Sequence, residues 1–145
     1  GKLDQAKTTA DFVAAAAHAK GINGGNGKLG AVGFCYGGGV VNLLATRVPD
    51  LGAGVPFYGV APAADKVAAI KAPLLLVYAD NDERVNSTFP GFDAALKAAG
   101  VKFEAVKYPG TQHGFNNDTT PRYDEAAAKQ AWARTIALFN RTLRG

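Results

Sequence analysis

Apolar and polar positions alternate between two periods along this chain. Leu3 to Gly21, LDQAKTTADFVAAAAHAKG, is rich in alanine and free of Gly and Pro until its last residue. That pattern predicts a helix closed by a C′ glycine. After the loop GINGGNG, the run KLGAVGFC (28–35) reads as a buried strand, and GGVVNLLATRV (38–48) as a helix ending before Pro49. GAGVPFYGV (52–60) predicts a second strand, and PAADKVAAI (62–70) a short helix opened by Pro62. APLLLVYA (72–79) is continuously apolar, as a strand covered on both faces should be. STFPGFDAALKAAG (87–100) predicts a helix closed by Gly100, and VKFEAVKYPG (101–110) a more strictly alternating strand nearer an edge. The last helix is expected from a Thr120 cap, with Pro121 in its first turn, to about Leu143. Its predicted apolar stripe is Ala128, Trp132, Ile136, Phe139 and Leu143. Helices alternating with strands argue for an α/β fold, a parallel sheet with right-handed crossovers.

Composition narrows the function classes. With 145 residues, 48% hydrophobic and 19% charged, the chain suits one globular domain with a real core. The net charge is +4, but Lys and Arg are scattered singly, so nucleic acid is not an expected partner. One cysteine excludes an intrachain disulfide and a multi-Cys zinc site. Two histidines, His18 and His113, do not suggest a metal cluster, and no cofactor motif is present. The longest apolar stretch, around Pro73 to Ala79, is far short of the ~20 residues that cross a bilayer, so no membrane partner is expected. No signal peptide pattern is visible, which favours a cytoplasmic protein, although an export signal outside this chain would change that expectation. The chain has no Met and opens inside a helical pattern, so a fragment of a longer protein is expected.

The lone thiol stands where a strand should turn into a helix, in Gly33-Phe34-Cys35-Tyr36-Gly37. This G-x-C-x-G pattern is a nucleophile elbow with Cys in place of Ser. The glycines are expected to relieve a strained turn in which backbones approach too closely for a Cβ. The following helix N-terminus should favour thiolate and fast alkylation below pH 7, while the Tyr36 N–H points toward an oxyanion. A buried structural cysteine beside helix-packing glycines is the alternative reading. A thiol nucleophile needs a base and an orienting acid. His113 follows the fourth strand in YPGTQHGFNND, and the third strand ends in VYADNDERVN, which supplies Asp80, Asp82 and Glu83. The chain order Cys, Asp, His is that of α/β-hydrolases, and all three lie at the carboxyl ends of strands.

GFCYGGG, VYADNDERVN and YPGTQHGF together resemble the dienelactone hydrolase (carboxymethylenebutenolidase) family, over nearly the whole chain but only that family's C-terminal part. The resemblance implies the C-terminal half of an α/β-hydrolase sheet with flanking helices. It also implies a cofactor-free Cys-Asp-His triad that hydrolyses lactones or small esters. Cys35 matches the family's thiol, His113 its HGF-type loop, and Asp82 its strand-end acid, with Arg84 and Val85 behind it. Tyr36, Phe57, Tyr58 and Phe115 are expected walls of the substrate pocket. Two departures stand out. Ala79 replaces a glycine of the family pattern. The stretch Phe115-Asn116-Asn117-Asp118 carries no Arg where the dienelactone-cleaving enzyme has one for the substrate carboxylate.

A second oxyanion N–H should come from a loop after an earlier strand, and no strand is predicted before Lys28. The expected partners are therefore a small ester or lactone, together with the N-terminal half of the same protein or further copies of the chain. A non-catalytic half-domain that folds only against a partner is the competing expectation. In either case Leu29 to Phe34 should lie at an open sheet edge.

Overall fold

The computed structural model describes residues 2–145. Its elements are α1 (Gln5–Lys20), β1 (Gly30–Phe34), α2 (Tyr36–Arg47), β2 (Ala53–Phe57), a 3₁₀ segment (Ala64–Ala69), β3 (Leu74–Asn81), α3 (Glu83–Asn86), α4 (Phe89–Ala98), β4 (Phe103–Gln112) and α5 (Glu125–Leu143). The four strands pair in parallel in the order β1-β2-β3-β4, so chain order and spatial order coincide. This is the parallel α/β sheet that the alternating pattern implies.

The apolar run of β3 shows how the core is divided. Successive side chains of a strand point to opposite faces. Leu75, Val77 and Ala79 join Val55, Phe57, Phe115 and the α5 residues Ala127, Ala131 and Leu138 in one buried cluster. Leu74, Leu76 and Tyr78 enter the other, with Ala45 of α2, Phe92 and Leu96 of α4, and Val85. The strand is continuous in hydrophobicity because helices cover both of its sides.

Several boundaries differ from expectation. α5 begins at Glu125, not at Thr120, because Asp124 caps it by accepting the Ala127 N–H at 2.9 Å. The segment from Thr120 to Tyr123 stays in turns, and the Asp124 N–H returns to the Phe115 carbonyl at 2.9 Å. The segment after Pro62 is a 3₁₀ turn from Ala64 rather than an α-helix. β3 and β4 each run two residues further than predicted, to Asn81 and Gln112, which carries the strand ends into the loops that hold Asp82 and His113.

The α5 stripe is also redrawn. Ala127, Ala128, Ala131, Thr135 and Leu138 are buried, while Trp132 and Ile136 remain 44% and 41% exposed. The small residues let α5 sit close to the sheet, and the large ones at the neighbouring positions face outward. β1 is an edge strand, as is β4 on the opposite side. Val32 and Phe34 of β1 are 36% and 38% exposed. On α1 only Ala16 is buried. The described residues therefore leave one sheet edge and parts of two helices without cover.

Candidate active site

β1 delivers Cys35 into a sharp corner. Its backbone lies at φ 55, ψ −119, a region that non-glycine residues rarely occupy, and it directly precedes the first turn of α2. The corner is held by the Cys35 N–H, which donates to the Phe57 carbonyl at 3.1 Å, and by the Gly38 N–H, which donates to the Cys35 carbonyl at 3.0 Å. Tyr36 is the first residue of α2, so its N–H is among those that a helix leaves unpaired.

Close approach of backbone explains the glycines, but not all of those expected. A Cβ on Gly33 would stand 2.2 Å from the Gly37 carbonyl oxygen, and one on Gly38 2.5 Å from that of Phe57. At Gly59, which the motif does not include, it would meet the Gly38 carbonyl carbon at 2.2 Å. Gly37 has open space around it. The second tight position is thus Gly38, where α2 crosses the end of β2, and not Gly37.

The expected acid and the expected base are in contact. Asp82 leaves the end of β3 and is buried, and its Oδ2 lies 2.5 Å from Nδ1 of His113, in the loop directly after β4. A carboxylate on Nδ1 keeps the proton there and leaves the Nε2 lone pair free. Gly114, at φ 87, turns the chain immediately after the histidine. Asp80, the competing carboxylate, does not engage His113. Its Oδ2 accepts the Gly110 N–H at 3.0 Å.

Phe57, Tyr58 and Phe115 form the floor of the site. They are 0%, 2% and 0% exposed, and their rings meet one another edge-on or tilted in the cluster against which Cys35 packs. The cavity at Cys35, about 390 Å³, is lined instead by Tyr36, Phe12, Leu43, Val60, Pro62 and Arg84, among others. Of the expected walls only Tyr36 lines the cavity, Phe57, Tyr58 and Phe115 being supports, and the remaining walls come from α1, α2, the segment after β2 and Arg84 of α3. Tyr58 is doubly constrained, with φ at 38 and its ring 4.9 Å from that of His113. Burial, reinforced by nearby Cys35, pushes its phenol up to about 12, so it stays protonated.

Two cations that sequence reasoning left out of the site act on the thiol. Burial pushes Cys35 above the ordinary thiol value, Arg122 opposes this most strongly, Asp82 adds to it, and Arg84 opposes it more weakly. The net direction is upward, away from the thiolate that the helix terminus was expected to favour. The Arg122 guanidinium lies against Gly114, where a Cβ would be 3.7 Å from it. Among the described residues neither arginine has an ion-pair partner. Arg122 was not legible because nine positions separate it from His113, and only the folding back of the turn at 120–123 unites them.

The model of the dienelactone hydrolase family matches residues 1–143. The chain belongs to the dienelactone hydrolase family. It is 36% identical over 115 residues to a candidate carboxymethylenebutenolidase of Saccharolobus solfataricus, covering 79% of this chain and 44% of that protein. A carboxymethylenebutenolidase homolog of Mus musculus is 36% identical over 124 residues, covering 79% and 49%. The crystal structure of a candidate dienelactone hydrolase from Klebsiella pneumoniae superposes with a TM-score of 0.84 at 32% identity, over 94% of this chain and 61% of that one. The fold is that of the α/β-hydrolases, and the chain spans about half the length of the curated relatives it matches.

The electrostatics predict how Cys35 titrates. Iodoacetamide should alkylate it slowly below pH 7, with a rate that climbs through a midpoint above the usual thiol value of 9.0. A pH–rate profile of the modification checks this. Fast alkylation at pH 6 would instead reveal a resting thiolate–imidazolium pair.

Proposed function

We propose that the protein hydrolyses lactones or small esters through Cys35, His113 and Asp82. The observation that carries this reading is the Asp82–His113 contact at 2.5 Å beside a thiol held at φ 55 on a strand-to-helix corner. Nε2 of His113 takes the thiol proton as sulfur attacks the carbonyl, while Asp82 stabilises the imidazolium that forms. The Tyr36 N–H is one donor to the oxyanion. Collapse of the tetrahedral intermediate gives a thioester and an alkoxide, which takes the proton from His113. With a lactone, that alkoxide remains attached to the acyl group. Water activated by Nε2 then cleaves the thioester, restoring the thiol and releasing the acid. No cofactor or metal enters these steps.

Arg122 and Arg84 extend the reading to substrates that carry an anion. Both act electrostatically on the thiol, Arg84 lines the cavity beside it, and neither has a carboxylate partner among the described residues, so a substrate carboxylate there would meet positive charge. The absence of Arg between Phe115 and Asp118 is thereby offset by a guanidinium from further along the chain.

Alkylation of Cys35 should abolish ester hydrolysis, and Asp82→Asn should lower kcat on the order of 10⁴-fold, as loss of the orienting acid does in serine triads. Assays on aryl esters and lactones check both, and unchanged turnover by the alkylated protein would remove Cys35 from the mechanism. Arg122→Gln should raise KM for an ester bearing a carboxylate about tenfold or more while leaving its neutral counterpart within about twofold, one charge-assisted contact being worth roughly 1.5–3 kcal/mol. Paired steady-state assays on the two esters read that selectivity.

A second reading, a half-domain that works only against another chain segment, is favoured by the open β1 edge and by the exposure of Trp132 and Ile136. Unpaired edge groups beside apolar surface invite strand addition. We therefore expect residues 1–145 alone to be inactive and to associate, with β1 paired to an N-terminal segment of the same protein or to another copy. Size-exclusion chromatography with light scattering, followed by an ester assay, tests this. A soluble, active monomer would refute it.

A further inference from the structure

β3 and β4 lose their regular ladder just before the triad residues. Ala79 pairs with Tyr108, but Asn81 pairs with Gln112, so β4 contributes two extra residues at that point. A bulge of this kind frees backbone N–H and C=O groups, which need other partners where water is excluded. Three side chains take them. Thr111, 2% exposed, accepts the Asp80 N–H at 3.2 Å and donates its hydroxyl to the Tyr108 carbonyl at 2.7 Å. Asp80 accepts the Gly110 N–H at 3.0 Å, at the point where Gly110 turns through φ 73. The Asn86 amide donates to the carbonyls of Ala79 at 2.8 Å and Asp80 at 3.2 Å.

The triad acid lies two residues beyond Asp80, and the base two residues beyond Thr111. We propose that Thr111, assisted by Asp80 and Asn86, is a positioning residue that fixes the separation of Asp82 and His113. This rests on the proposed function only in that the acid and base work as a pair. The geometry selects Thr111 because its single hydroxyl bridges the two strands that deliver them. A wandering strand end would move the carboxylate relative to Nδ1, and displacements near 1 Å can cost about 100-fold in rate.

Thr111→Val keeps the shape and removes both hydrogen bonds, and Thr111→Ser keeps the hydroxyl. In Thr111→Val, kcat should fall about 10- to 100-fold with KM little changed, and the downfield proton resonance of the His113 Nδ1–H···Oδ2 bond should shift upfield or broaden. Thr111→Ser should restore both. Circular dichroism confirms that the compared variants are folded, and if Thr111→Val does not fold, Asn86→Ala reads the same two quantities from the other side of the clamp. A folded Thr111→Val or Asn86→Ala protein with wild-type resonance and kcat would overturn the proposal, as would a Thr111→Ser protein as impaired as Thr111→Val. The resonance needs no turnover. If Cys35→Ala still hydrolysed esters, the functional reading would fail while the clamp remained open to this measurement.

Discussion

Everything at the site depends on one backbone contact, the crossing of the first turn of α2 over the end of β2. Gly38 and Gly59 meet there so closely that a Cβ on Gly59 would lie 2.2 Å from the Gly38 carbonyl carbon. That proximity brings the Cys35 N–H onto the Phe57 carbonyl and holds Cys35 at its left-handed φ. Without it α2 would ride higher on the sheet and the corner at Cys35 would open. The strain at Cys35 and Tyr58, both non-glycine residues at positive φ, is sustained by the packed aromatic floor beneath them.

The electrostatic arrangement follows from the same burial. A thiol against an aromatic cluster loses hydration, and this raises its pKa more than the nearby guanidiniums lower it. Under the proposed mechanism such a thiol needs a base at the moment of attack, and the short Asp82–His113 contact is the pair that would provide it.

The α/β class and the parallel sheet were legible because the hydrophobic period switches cleanly, and the covered position of β3 because it is apolar throughout. Cys35 and His113 were singled out by residue type and chain order and Asp82 by the family resemblance, and the structure brings Asp82 and His113 into contact. What escaped the sequence depends on contacts between distant segments. Trp132 and Ile136 fit a helical apolar stripe, yet α5 buries its alanines instead, since small residues permit the closer approach. Phe57, Tyr58 and Phe115 were expected as pocket walls but lie buried in the cluster against which Cys35 packs, a distinction that only burial reveals. Arg122 and Thr111 carry no local signal. One is united with the site by a turn, the other by a bulge between strands, and neither leaves a periodic trace.

The loop between Phe115 and Asp124 has a particular standing in this fold. The Asp124 N–H bonded to the Phe115 carbonyl closes it at its base, and the α5 cap begins immediately afterwards. His113 lies outside this closed segment and Arg122 inside it. Loop residues other than Arg122 can therefore be exchanged, and the loop lengthened at little entropic cost, while the helix that follows keeps its cap. Arg122 is different, because the guanidinium proposed to meet a substrate anion also bears on the Cys35 thiol. Under the proposed function, a lineage built on this scaffold could not drift in substrate preference at Arg122 without retuning its thiol as well.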